Sequence, residues 1–156
     1  ASKATWSSSG TGTFNNNSST AVYTPSAADI SSGSVNLTYT TNDPTGPCGS
    51  VNDTMTLTID PVATVNAGSD QTICSDTTAT MAASFGGGAS NATWSSSGSG
   101  TVKNMCTTAV YTPSAADISS SSVNLTYTTN DPTGPRGSVN DTKTLTIDPV
   151  PTVNAG

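Results

Sequence analysis

The sequence predicts an all-β fold built as two tandem β-sandwiches, the first without its opening strands. Three observations carry this expectation. The 156 residues include 25 Ser, 30 Thr and 13 Asn but four Leu and no Glu, and 9% are charged. Strong helix formers are therefore scarce, while Thr, Val and Tyr suit pleated strands. The chain also matches itself at a fixed offset of 88 residues. Finally, short runs alternate apolar and polar side chains between clusters of Gly, Pro and Asx.

The repeat organises everything else. Residues 1–68 align without a gap on 89–156, placing Trp6 on Trp94, Tyr23 on Tyr111, Tyr39 on Tyr127 and Asp60 on Asp148; 11 of the 68 positions differ and 57 are identical. Residues 69–88, SDQTICSDTTATMAASFGGG, occur once. A duplication of this kind fits a tandem array of one small domain type, because a fold that closes once has no reason to repeat. The expected domains are 1–61, an incomplete first repeat, and 62–156, a complete second repeat that contains the unique insert 69–88.

Within each copy the strands follow from alternation. Val35, Leu37 and Tyr39 alternate with Asn36, Thr38 and Thr40, and Met55, Leu57 and Ile59 alternate with Thr54, Thr56 and Thr58. Each is a period-two strand with one buried face. The intervening NDPTGPCGS is dense in turn formers, so the pair reads as a hairpin with a long loop, repeated around NDPTGPRGS in the second copy. The insert adds Ala79, Met81, Ala83 and Phe85 in alternation, then a Gly86–Gly88 turn and a strand carrying Trp94. Turn signals every 8 to 12 residues indicate a sandwich.

Charge and composition exclude several functions. Net charge is −6 with four Lys and Arg in all, so there is no basic surface for nucleic acid or an anionic membrane. No apolar run approaches the ~20 residues of a membrane span. The absence of an initiator Met and of a leader suggests a mature or trimmed product. Histidine is absent, which removes the usual general base, most nucleophilic triads and the commonest metal ligand. The expectation is that the chain is not an enzyme and needs no cofactor.

TVNAGSDQTIC (residues 64–74), the strand with Trp94 and the hairpin closing on TLTID together resemble the PKD-type and immunoglobulin-like tandem repeats of large secreted bacterial surface adhesins and filaments. The resemblance implies two immunoglobulin-like β-sandwiches in an extracellular, cell-surface setting. It also implies a core Trp between the sheets, a place that Trp6 and Trp94 hold; Tyr39, Tyr127, Leu57 and Leu145, from the alternating strands, are expected to complete the cores.

The first copy has no equivalents of Ile73, Met81 and Phe85, so its sandwich is expected to lack an inner strand. An empty slot exposes apolar side chains worth ~1.5 to 3 kcal/mol each when buried, together with unpaired backbone groups. Two explanations follow: a strand from another chain completes the domain, or the sequence is an excerpt of a longer array. Donation between identical subunits in head-to-tail fashion need not close, and so produces a fibre.

Several candidate sites remain. Cys48 sits in the hairpin loop where copy two has Arg136, Cys74 in the insert, and Cys106 in place of Ser18. The readings are a Cys48–Cys74 bridge between subunits, a Cys74–Cys106 bridge within the second domain, or three buried free thiols. Asp43 and Asp53, with Asp131 and Asp141 in copy two, flank the hairpin loops as weak calcium candidates; Asp60, Asn66 and Asp70 are a second set. The alternative is that these residues form Asx turns and strand-end caps. Sequons stand at Asn16, Asn17, Asn36, Asn52, Asn91, Asn124 and Asn140; Asn36, Asn52, Asn124 and Asn140 are the glycosylation candidates, with Asn36 and Asn124 expected to face solvent.

The expected function is structural: a subunit of a pilus-like extracellular bacterial filament, its partner a second copy of itself in a head-to-tail homopolymer, joined by strand donation and disulfides and carrying surface glycans. The alternatives are a stalk segment of a long tandem-repeat adhesin, or a carbohydrate-binding module. Exposure of Trp6 or Trp94 would favour the module.

Overall fold

The computed structural model describes residues 2–103, 106–132 and 134–156. The chain divides into two compact units, Ala1–Pro61 and Val62–Gly156.

Unit 1 comprises β1 (Ala4–Ser8), β2 (Thr13–Phe14), β3 (Tyr23–Thr24), a short helix α1 (Ala27–Ser32), β4 (Ser34–Thr41) and β5 (Asn52–Thr58). Its larger sheet has the order β1-β4-β5, and β2 pairs with β3. Trp6 lies opposite Tyr39, and Leu37 lies opposite Met55.

Unit 2 repeats this frame and extends it. Its elements are β6 (Thr64–Asn66), β7 (Gln71–Cys74), β8 (Ala79–Ala82), β9 (Ser84–Gly86), β10 (Ala92–Ser96), β11 (Thr101–Lys103), β12 (Thr108–Thr112), α2 (Ala115–Ser120), β13 (Ser122–Thr129) and β14 (Asn140–Asp148). A four-stranded sheet, β10-β13-β14-β7, faces a three-stranded sheet, β11-β12-β8, and β6 pairs with β9. This is an immunoglobulin-like β-sandwich. All pairings are antiparallel except β7 with β14, which run parallel with Ile73 opposite Ile147. Between the sheets lie Met81, Trp94, Tyr111, Leu125, Tyr127, Leu145 and Ile147, each fully buried, with Val65, Ile73 and Phe85 packed against them.

Three expectations need correction. The insert does not form one alternating strand; it breaks at Ala83 into β8 and β9, which belong to different sheets. The elements that unit 1 does not share are not inner strands: β7 and β8 each lie on the edge of a sheet. Their side chains, Met81 above all, nonetheless fill the inner layer. Lastly, Met55 is not on a buried face but 51% exposed, because no β7 counterpart lies beside it.

Both units contain a short helix absent from the composition-based reading. Ser26 caps α1, its hydroxyl accepting from the Asp29 amide while the Asp29 carboxylate accepts from the Ser26 amide; Ser114 and Asp117 repeat this reciprocal box in α2.

Candidate functional site: the open edge of unit 1

The same strand sequences meet different neighbours in the two units. In unit 2, the outer edge of β14 pairs with β7 and that of β12 pairs with β8. In unit 1, among the described residues, the corresponding edges of β5 and β3 pair with nothing. An unpaired edge presents a row of N–H and C=O groups that can template another strand.

Beneath that edge the side chains form an apolar cleft of about 270 Å³, lined by Trp6, Phe14, Ala21, Tyr23, Leu37, Met55 and Leu57. Alternation places them: β1 turns Trp6 inward, β4 Leu37, and β5 Met55 and Leu57. Their counterparts Trp94, Ala109, Tyr111, Leu125 and Leu145 belong to the buried core of unit 2, with Val102 packed against it. Trp6, Tyr39 and Leu57, expected as core, are therefore only half-buried, for want of the strands that cover Trp94, Tyr127 and Leu145.

Aromatic contacts partly compensate. Trp6 lies 4.7 Å from the Tyr39 ring and 5.9 Å from Phe14, and Phe14 lies 4.9 Å from Tyr23. In unit 2 the Trp94–Tyr127 pair recurs at 4.9 Å, but the third ring is Phe85, from the insert, 6.4 Å from Tyr127. Phe14, where copy two has Val102, supplies aromatic surface from within the shared frame. The Trp6 indole N–H donates to the Ser18 carbonyl at 3.0 Å.

A buried carboxylate anchors the equivalent tyrosine in each unit, Tyr23 of the cleft in unit 1 and Tyr111 of the core in unit 2. Asp29 is 2% exposed and accepts from the Thr11 and Gly12 amides at 3.0 and 2.9 Å, the Tyr23 hydroxyl at 2.8 Å and the Ser26 amide at 2.9 Å. These bonds, the Ser26 amide foremost, hold its pKa down to about 2 against an opposing effect of burial. At Asp117 burial pulls the carboxyl up, but the Ser114 amide, Tyr111 hydroxyl and Ser99 amide outweigh it and keep the pKa below its ordinary value. Burial raises the Tyr111 pKa. Gly10 and Gly98 are required here: a Cβ at Gly98 would collide with Asp117 Oδ1 and come within 2.7 Å of Val123 Cγ1.

The other candidate residues are dispersed. Asp43, Asp131 and Asp60 are exposed. Among the described residues Asp53 accepts only from its neighbour Thr54 at 3.0 Å, whereas Asp141 accepts from the Ala67 amide at 2.8 Å. Asn66 closes a turn on the Gly68 amide, and Asp70 accepts from the Thr144 amide. Among the described residues no three His, Cys, Asp or Glu side chains assemble into a group that could hold a metal.

Cys48, Cys74 and Cys106 are free and exposed, neither buried nor joined in a Cys74–Cys106 bridge. Cys74 lies on the solvent side of β7 at its end, whereas Cys106 follows β11 in the other sheet. Asn36, Asn52, Asn124 and Asn140 are exposed, as are Asn16, Asn17 and Asn91. No helix among the described residues is long and apolar enough to cross a membrane.

No family model matches the chain, and no curated protein matches it. Solved structures do. The EC22-24 fragment of mouse cadherin-23 is 10% identical, with a TM-score of 0.48, over 94% of this chain and 54% of that one. Extracellular cadherin domains 3-6 of protocadherin gamma B2 are 14% identical, with a TM-score of 0.43, over 94% of this chain and 41% of that one. The chain thus spans about half the length of these structures or less.

Proposed function

We propose that the chain is a structural repeat protein of the extracellular surface, a subunit of a pilus-like bacterial filament joined head to tail by strand complementation of unit 1. One observation carries the reading: edges that are paired in unit 2 are bare in unit 1, above a cleft whose counterpart is a closed core. In unit 2 two consecutive strands, β7 and β8, cover the two corresponding edges; a donated strand along β5, continued by a second along β3, satisfies both edges and covers Trp6, Met55 and Leu57. Load along such a junction is borne by shear of backbone hydrogen bonds. Exposed Cys48 and Cys74 are available to lock one subunit to the next.

A stalk segment of a longer tandem array is the second reading. It is favoured by the phase of residues 149–156, which continue the repeat up to the counterpart of Gly68. The half-buried Trp6 does not favour a carbohydrate-binding module, because its indole N–H is engaged and its ring is packed against Tyr39.

Electron microscopy of native material, with denaturing gels run with and without reductant, tests the proposal. Uniform filaments whose covalent ladder collapses on reduction are expected. Monodisperse monomers, or one very long chain indifferent to reductant, would sink the filament mechanism and leave the stalk.

A further inference from the structure

Residues 152–156, TVNAG, repeat residues 64–68 letter for letter. In unit 2 the first of these stretches, β6 and the turn after it, lies against β13 and β14. There Ala67 is fully buried, Val65 packs on the core, and the Ala67 amide donates to Asp141 Oδ2 at 2.8 Å. The second stretch makes none of these contacts: Val153 is 97% exposed.

Unit 1 offers a matching acceptor. β4 and β5 carry the β13 and β14 sequences, apart from Met55 in place of Lys143, and Asp53 stands where Asp141 stands. Asp53 is exposed and, among the described residues, accepts only from Thr54. The tail is also shaped for the role beforehand. The Gly156 amide donates to Asn154 Oδ1 at 3.0 Å with Gly156 at φ +91, as the Gly68 amide donates to Asn66 Oδ1 at 2.7 Å with Gly68 at φ +80. Little ordering is then required on docking.

We infer that residues 152–156 of one copy dock on β4 and β5 of unit 1 in a second copy, with Val153 and Ala155 covering the sheet and the Ala155 amide donating to Asp53. The inference rests on the proposed head-to-tail reading and adds a second contact to it: the tail takes the place of β6, which pairs with β9 and not with β14 or β12, so it docks beside the open edges and does not fill them. The tail brings no β9 counterpart to pair with, so a single junction of this kind is weak.

Sedimentation velocity of the full chain over a concentration series, with reductant present, tests it alongside amide spectra of Ala155 and Asp53. Wild type is expected to associate, with both amides shifting on dilution. Val153→Asp, at a fully exposed position that leaves the monomer intact, is expected to weaken association about tenfold or more by placing a charge in the apolar contact; Asp53→Ala is expected to weaken it about fivefold. Association unchanged by Val153→Asp overturns the tail as donor while leaving strand complementation standing. An Ala155 amide that is protected at every concentration overturns the second copy as the occupant. A wild type that never associates overturns both the inference and the head-to-tail reading.

Discussion

Met55 and Lys143 occupy the same position of the repeat, yet Met55 is 51% exposed and Lys143 is 3% exposed, its ammonium donating to Gln71 Oε1 at 2.9 Å. The apolar residue faces water and the charged one is buried. Gln71 belongs to β7, so the strand that unit 1 does not share is the one that covers this position.

Burial lowers the Lys143 pKa, with Asp70 opposing. A lysine with a depressed folded pKa binds fewer protons when folded than when unfolded, so unit 2 gains stability as pH rises from that depressed value toward 10.5. Lys143→Met should remove this dependence and raise stability at pH 7 by ~1 kcal/mol, since Gln71 is only half-buried and can turn to water. Urea unfolding of both proteins between pH 7 and 10 checks it; a variant with an unchanged slope would refute the assignment.

How much could be read beforehand divides along the same line. The duplication, the strands carrying Trp94 and Leu125, and the solvent-facing Asn36 all follow from patterns local to a few residues. The parallel β7–β14 pairing does not, because register between strands some 70 residues apart leaves no periodic trace. The half-burial of Trp6 does not follow either, for a related reason: its own strand is identical in sequence to that of Trp94, and the difference lies in neighbours. The Asp29 and Asp117 networks lie outside the strand-based reading, although Ser-Ala-Ala-Asp carries a local signal for them as a capping box with Asp in place of Glu.

Those carboxylates set the acid limit. Asp29 has its folded pKa depressed to about 2 from 3.8, so its contribution is present above 3.8 and is lost as pH falls toward 2. Unit 1 should therefore hold its stability down to about pH 4 and weaken steadily below it, a trend that acid titration followed by circular dichroism would reveal. Asp117→Asn should cost unit 2 ~1 to 3 kcal/mol, since an amide cannot accept from the Ser99, Ser114 and Tyr111 donors together. An Asn variant as stable as wild type would show that the network does not need the charge.

The two tryptophans should separate in every assay. Trp94→Ala empties a closed core and should cost ~3 to 5 kcal/mol. Trp6→Ala removes a ring already half in solvent and should cost roughly half as much, mainly through its contact with Tyr39. Acrylamide quenching distinguishes them directly: Trp6 should be quenched readily in a Trp94→Phe background, and Trp94 barely in a Trp6→Phe background. Equal quenching would mean that unit 1 is covered in solution.

The helix ends provide a reciprocal pair of substitutions. Gly33 closes α1 at φ +77, and its counterpart Ser121 closes α2 at φ +64, the one non-glycine residue with positive φ among the described residues. Both amides donate back to the preceding turn, at Asp29 and Asp117 respectively, so the left-handed conformation is fixed by the cap and not by the side chain. A Cβ in this region crowds the following carbonyl, and glycine avoids that cost. Ser121→Gly should therefore stabilise unit 2 by ~0.5 to 1 kcal/mol, the gain being reduced by the greater freedom of glycine in the unfolded chain. Gly33→Ser should destabilise unit 1 by a similar amount, because a Cβ there meets nothing nearer than the Ile59 carbonyl oxygen at 4.0 Å and only the backbone conformation is at issue. Denaturant midpoints read through Trp94 for the first variant and Trp6 for the second decide the matter; shifts of the same sign in both would show that the side chain at this cap, and not its φ, controls stability.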